Sequence, residues 1–298
     1  MPRPNLFVVG AMKAGTTTVY HHLRHHPEIF MSAVKEPQYF IGAPTGGWQG
    51  PDAANTTSRD LAAYEQLFDG AGEARIVGEA SPVYLCDPGA AAKIQAYAPD
   101  ARIVAVLRQP VDRAYSAWLM KGRHGYERLG FAEALAEEPR RIAQGWRYAW
   151  HYAALGCYAG QVERFFASVG RAHVHVAFYD DLVRDPAAVM RGIFRFLGVD
   201  DGVAPPPSVD RNPGFAVRSG GLFRWLTTPS RVREAVKPLA PSLARPLWRR
   251  VSSAAGRWNR MPSPPLAPDL RQRLTREWAD EIRALERLLG ADLARWRA

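Results

Sequence analysis

Short apolar runs alternate with amphipathic stretches along the chain. Leu6–Gly10 (LFVVG) is a continuous apolar run of strand length, the pattern of a strand covered on both faces in a parallel sheet, and Arg75–Ala80 (RIVGEA) and Arg102–Leu107 (RIVAVL) are two further buried-strand candidates. His173–Tyr179 (HVHVAFY) alternates as a further strand. Thr17–His25, Pro88–Tyr97, Val111–Lys121 and Pro186–Leu197 read as helices, with Pro110 at a first helical position, where proline is tolerated. Asp269–Leu289 sets Leu270, Leu274, Trp278, Ile282, Leu285 and Leu289 at helical spacing and predicts an amphipathic helix packed on the core. Strands alternating with helices define an α/β fold, a parallel β-sheet flanked by helices. Gly42–Asn55 reads as a long loop. Residues 205–268 read as an irregular, basic, Pro- and Arg-rich insertion before the last helix, within one domain spanning 1–298.

The chain has 298 residues, 47% hydrophobic and 23% charged, an ordinary globular mix that excludes collagen, coiled coil and disorder. Cys86 and Cys157 are too few for a disulfide framework or a zinc cluster and point to a reducing compartment. The first apolar run is too short for a signal peptide, and no run reaches spanning length, so a soluble, cytoplasmic protein is expected. Of the net charge of +10, Arg211–Arg260 carries all: eleven Arg and Lys against Glu234 alone. A near-neutral body with one basic segment points away from nucleic acid and toward a local anionic contact, including peripheral contact with a membrane surface through 211–260.

Gly10-Ala-Met-Lys13-Ala14-Gly15-Thr16-Thr17-Thr18 follows the first strand and opens a helix. There, loop amides and the helix N-terminus converge on an anion. The nucleotide-triphosphatase pattern is GxxxxGK(S/T). The glycine spacing is right, but Thr16 stands in the lysine position and the lysine has moved back to Lys13. A plain Gly-rich turn is the alternative. RIVAVL is followed directly by Arg108, where a magnesium-dependent nucleotide enzyme carries a metal-holding acid. An arginine at the carboxyl end of a parallel strand suits a phosphate, and the helix that follows brings Ser116 to the same crevice. Taken singly, these residues also read as a surface ion pair and an ordinary helix serine.

VGAMKAGTTTV resembles the 5′-phosphosulfate loop of sulfotransferases that use 3′-phosphoadenylyl sulfate (PAPS). IVAVLRQPVDRAYSAW resembles their 3′-phosphate segment, R-(D/N)-P-x-x-R-x-x-S. KEPQYF (Lys35–Phe40) is similar to the KEPHFF segment of heparan sulfate and related Golgi sulfotransferases, and EASPVYL (Glu79–Leu85) to their E-K-(S/T)-P-x-Y segment. The likeness covers residues 5–200 and the last helix. It implies a P-loop-containing sheet related to nucleotide kinases, and metal-free sulfuryl transfer from PAPS to a hydroxyl or, less readily, an amine, leaving 3′,5′-adenosine bisphosphate (PAP). By this resemblance Lys13 contacts the bridging and sulfuryl oxygens, and Lys13, Ala14, Gly15, Thr16, Thr17 and Thr18 surround the 5′-phosphate. Arg108 and Ser116 bind the 3′-phosphate, and Glu36 takes the acceptor proton. Tyr158 matches an adenine-contacting tyrosine, and Arg218 is a candidate to close over the 3′-phosphate. The implied partner is a small-molecule, glycoside or lipid-linked acceptor.

Departures from the pattern are Ala80 for the family's lysine, Gln109 for an acid or amide, and the missing disulfide-linked adenine loop. His151 is an alternative base. Glu79 is read as orienting Lys35 or the acceptor, or as ending a strand. His21, His22, His25 and His26 read as solvated helix histidines rather than metal ligands, and Trp118, Trp146, Trp150 and Trp278 as core. Two rivals follow from the same residues. A small-molecule P-loop kinase would require Mg²⁺, and a membrane- or nucleic-acid-binding protein would keep a degenerate loop.

Overall fold

The computed structural model describes residues 3–53, 60–203, 215–227 and 244–297. Its centre is a five-stranded, wholly parallel sheet of β1 (Leu6–Gly10), β2 (Ile29–Met31), β3 (Ile76–Ala80), β4 (Arg102–Leu107) and β5 (Val174–Phe178), in the spatial order β2-β3-β1-β4-β5. Successive strand residues point to opposite faces, and both faces are covered, so β1 is apolar throughout and β4 from Ile103 onward. Phe7, Val9, Ile103, Ala105 and Leu107 join one core. Leu6, Val8, Val104 and Val106 join the other.

The first core is packed by α3 (Ala90–Tyr97), α4 (Pro110–Arg123), α5 (Phe131–Ala143) and α6 (Tyr158–Val169), after the short α2 (Leu61–Glu65). The second is packed by α1 (Thr16–His25), α7 (Tyr179–Arg184) and α8 (Pro186–Leu197). The order of strands reverses around β1, so the loops leaving β1 and β4 flank the crevice where α/β sheets bind ligands.

Three sequence expectations change. The segment 205–268 is not irregular where it is described. β6 (Phe215–Val217) pairs antiparallel with β7 (Arg260–Pro262), bracketing α9 (Gly220–Thr227) and α10 (Ala244–Asn259). Pro246 does not break α10 because it lies in the first turn, where its missing N–H has no intrahelical acceptor to lose. Residues 204–214 and 228–243 of this segment lie outside the described residues. The expected single C-terminal helix is two, α11 (Pro268–Glu277) and α12 (Ala279–Leu289), separated at Trp278; Leu274, Trp278, Ile282 and Leu285 are buried as the spacing predicts. His22 and His26 are buried rather than solvated: His26 accepts from the Glu28 amide through Nδ1 and donates from Nε2 to the Asp200 carbonyl at 2.8 Å. No helix of the described residues is long and apolar enough to cross a membrane.

Candidate active site

The loop between β1 and α1 is shaped for a ligand rather than for itself. Gly15 has φ +87°, and a Cβ there would lie 3.0 Å from the side chains of Tyr179 and Leu182. Only glycine meets both the left-handed backbone and that close approach to α7. Gly15 is the N-cap of α1 and offers no side-chain cap, so the first amides of the helix, those of Thr16 and Thr17, are left for an anion. Lys13 itself has φ +70°.

Glu36 (φ +63°) and Gln38 (φ +55°) are the other non-glycine residues with positive φ among the described residues. A left-handed conformation costs such residues on the order of 1–2 kcal/mol, and all three cases fall at this site.

Arg108 closes the crevice from β4. Its Nη1 donates to the Lys13 carbonyl at 3.2 Å, and its guanidinium lies 4.5 Å from the centroid of Tyr179. The Lys13 ammonium points toward α4, with Nζ 3.7 Å from Met120 Sδ. Burial first, then the guanidinium groups of Arg123 and Arg108, pull its pKa down to about 8. Ser116 is half-buried on α4, one turn before Met120, and so shares the face that meets Lys13. Arg113, between Arg108 and Ser116 in the motif, is buried and donates to the Tyr152 carbonyl, which fixes α4 to the loop beneath it.

Glu36 is held at the other side of the crevice. Its amide donates to the Ala80 carbonyl at 3.0 Å, and Lys35 Nζ meets its Oε1 at 2.5 Å. The reason this segment stays in place lies one layer deeper. Glu79 is fully buried and accepts from Tyr64 and Tyr84 on Oε1 (3.1 and 2.7 Å) and from Ser81 on Oε2 (2.6 Å). Ser81 Oγ and Tyr84 Oη in turn accept from the amides of Gln38 and Phe40. Glu79 therefore neither orients Lys35 nor merely ends β3; it anchors the Lys35–Phe40 segment through two hydroxyls. Burial raises its pKa to about 7 against the pull of the three donors.

Glu36 lines a cavity of about 430 Å³ with Met12, Met120, Trp48, Tyr148 and Arg147. Part of its wall is a buried ion pair that the sequence did not reveal. Lys121 Nζ meets Asp52 Oδ2 at 2.5 Å, and Trp150 donates to Asp52 Oδ1 at 2.7 Å. Burial works to raise the Asp52 carboxyl, but Lys121 and Trp150 outweigh it and hold it below the usual carboxylate range. The partners are separated by 69 residues, so no local pattern announces them.

Two residues expected at the donor have other partners in the structure. Tyr158 is fully buried, and its hydroxyl donates to the Arg108 carbonyl at 2.9 Å. It fixes the end of β4. Arg218 is exposed, stacked 5.2 Å from Trp258 and bonded to the Arg260 carbonyl, within the β6–β7 ribbon rather than over the loop. The alternative base His151 is tied through Nε2 to the Trp146 carbonyl at 3.0 Å and does not line the cavity. No group of three or more His, Cys, Asp or Glu residues suited to a metal ion occurs among the described residues.

A parallel α/β sheet with a cation-bearing loop, a strand-end arginine and a carboxylate across the crevice defines a group-transfer enzyme of the P-loop architecture. The sequence profile of the sulfotransferase family matches residues 4–202, and the chain belongs to that family. The crystal structure of a sulfotransferase from Alicyclobacillus acidocaldarius is similar over 100% of both chains, with 34% identity and a TM-score of 0.78. Heparan sulfate glucosamine 3-O-sulfotransferase 6 of Homo sapiens is 27% identical over 66% of this chain and 52% of its own length. Carbohydrate sulfotransferase 15 of Homo sapiens is 31% identical over 39% of this chain and 27% of its own. The chain thus spans about half the length, or less, of these curated relatives.

Proposed function

We propose that the protein transfers the sulfuryl group of PAPS to a hydroxyl of a small-molecule, glycoside or lipid-linked acceptor, releasing PAP. The observation that carries this is the convergence of Lys13, Arg108 and the open start of α1 beside a cavity whose wall holds Glu36. The acceptor oxygen attacks sulfur as the bond from sulfur to the bridging phosphate oxygen breaks. The hydroxyl proton passes to the Glu36 carboxylate, and Lys13 stabilises the charge that collects on the leaving oxygen. A sulfuryl group in transfer gains little charge of its own, so positioning and a cation at the leaving oxygen supply most of the rate. The general base adds roughly 10²–10⁴-fold.

The cavity is of a size for one compact acceptor, and Trp48 and Tyr148 suit a ring. The ribbon and its helices support a reversible contact with an anionic membrane surface. Residues 215–227 and 244–262 carry seven arginines and no acid, and Trp225 and Trp258 are 54% and 61% exposed. The experiment is a thermal-shift comparison of PAP without metal against MgATP, followed by transfer of labelled sulfate from PAPS to an extract of host small molecules. Stabilisation by PAP alone and a labelled product are expected. Equal response to MgATP, or a strict Mg²⁺ requirement, would favour the kinase rival and end the proposal.

A further inference from the structure

Ser116, Met120 and Arg123 recur at spacings of four and three residues and so form one stripe of α4. Ser116 is assigned to the donor, and Met120 touches the Lys13 ammonium. Arg123, the next residue of the stripe, has had no role. Its guanidinium lies 4.0 Å from the centroid of Phe215 on β6 and 5.9 Å from that of Phe223 on α9. Its Nε is buried without a hydrogen-bond partner. Among the described residues no carboxylate pairs with it, whereas the buried Arg141 has Glu127 and the buried Arg113 has a carbonyl. It is also the strongest charged influence on Lys13, ahead of Arg108. Arg123 and Arg108 thus both act as cations on Lys13. Glu36, a carboxylate that acts on Lys13, is already engaged by Lys35. Partly buried like charges repel unless an anion sits between them, and an unmet guanidinium in such a place is costly.

We propose that Arg123 is a further anion-binding residue of the transfer site, holding the sulfuryl oxyanion of the donor next to Lys13, with Phe215 and Phe223 as its seat. This rests on the reading that PAPS is the donor. The planar guanidinium stacks on the rings through its face and keeps its edge N–H groups for oxygen, a division that lysine cannot reproduce. The ribbon is thereby part of the site: β6 and α9 pack on α4, and Gly220 meets Gly125 so closely that a Cβ on Gly220 would lie 2.5 Å from the Gly125 backbone.

PAP and PAPS differ by the sulfuryl group, so their affinities separate this role from a structural one. Binding of each is measured by calorimetry on wild type, Arg123→Met, Arg123→Lys and Phe215→Leu, with kcat, acceptor KM and thermal unfolding alongside. Arg123→Met is expected to bind PAP within about twofold of wild type, to bind PAPS roughly tenfold more weakly, and to lose on the order of 100-fold in kcat, the usual effect of deleting one oxyanion donor. Its basic limb in kcat/KM should move to higher pH, since one of the cations lowering Lys13 is gone, and Arg123→Lys should regain part of kcat. Phe215→Leu should show the same PAPS-selective loss in weaker form, which keeps the test open if Arg123→Met does not fold. Three results would overturn the inference: unchanged PAPS binding, equal loss of PAP and PAPS together with a lower Tm, or a raised acceptor KM alone. A wild-type protein that binds neither nucleotide would overturn the donor reading as well, so the two failures are distinguishable.

Discussion

Arg108 donates to the main-chain carbonyl of Lys13 across 3.2 Å, so the end of β4 holds the loop that leaves β1. The two motifs, 95 residues apart in sequence, are one unit in space. Tyr158 holds that strand end from beneath through the Arg108 carbonyl, and Tyr179 supports the guanidinium while crowding Gly15. A change at Tyr158 would therefore act on Lys13 without touching a ligand.

Lys13 sets the first expectation. A lysine stabilises a leaving oxygen only while protonated, and this one loses its proton at about 8. kcat/KM for the donor should fall as pH rises through that value, since this parameter reports the free enzyme. Lys13→Ala should lower kcat by roughly 10²–10³-fold while PAP affinity changes much less, because the contact strengthens as the bridging bond breaks. A flat profile to pH 10 would place the needed proton elsewhere.

Glu36→Gln keeps the shape of the segment and removes the proposed proton acceptor. PAP binding should stay within about twofold of wild type and turnover should drop roughly 10²–10⁴-fold. Retention of near-normal kcat would remove Glu36 from the chemistry. The tie from His151 to the Trp146 carbonyl argues against that histidine as its replacement.

Much of this arrangement was legible in the sequence, and the exceptions have physical causes. β1 and β4 could be placed because a strand buried on both faces carries a nearly unbroken apolar run. β2 is three residues long and carries no pattern of its own. The break at Trp278 leaves helical spacing intact on both sides, so periodicity runs through it. Lys13, Arg108 and Ser116 were legible because the phosphate motifs are local. Asp52–Lys121, the hydroxyl anchors of Glu79 and the seat of Arg123 join residues distant in the chain and chemically ordinary one by one. The partners of Tyr158 and Arg218 were illegible for the converse reason: residue type and rough position matched, while burial and packing direction were invisible.

Glu79 gives a stability prediction with a definite sign. Its pKa is about 7 in the folded protein against an ordinary 4.5, so between those values the unfolded chain releases a proton that the folded chain keeps. Stability from this group is therefore full below about pH 4.5 and is lost as pH rises toward 7. Glu79→Gln can still accept from Tyr64 and Tyr84 but has no charge to bury. Relative to wild type it should gain on the order of 2–3 kcal/mol between pH 4.5 and pH 8, since each tenfold difference in proton affinity between the two states is worth about 1.4 kcal/mol. Parallel stability curves for the two proteins over that range, measured by urea unfolding, would contradict the assignment.

The exposed basic ribbon gives the last expectation. Trp225 and Trp258 lie beside Arg218, Arg224, Arg257 and Arg260, and no carboxylate occurs in residues 215–227 or 244–262 to neutralise them. Each basic side chain near an anionic bilayer contributes about 1 kcal/mol, and the attraction fades within a Debye length of about 10 Å at 0.1 M salt. A few such contacts with two interfacial tryptophans give reversible attachment. The protein should therefore co-sediment with anionic vesicles at low salt, release at high salt, and ignore neutral vesicles. Trp225→Ala/Trp258→Ala should weaken attachment several-fold while leaving PAP affinity unchanged, because neither ring belongs to the donor crevice. Failure to sediment with anionic vesicles at low salt would confine the ribbon to its contact with α4. Equal binding to neutral vesicles would show that charge is not what attracts it.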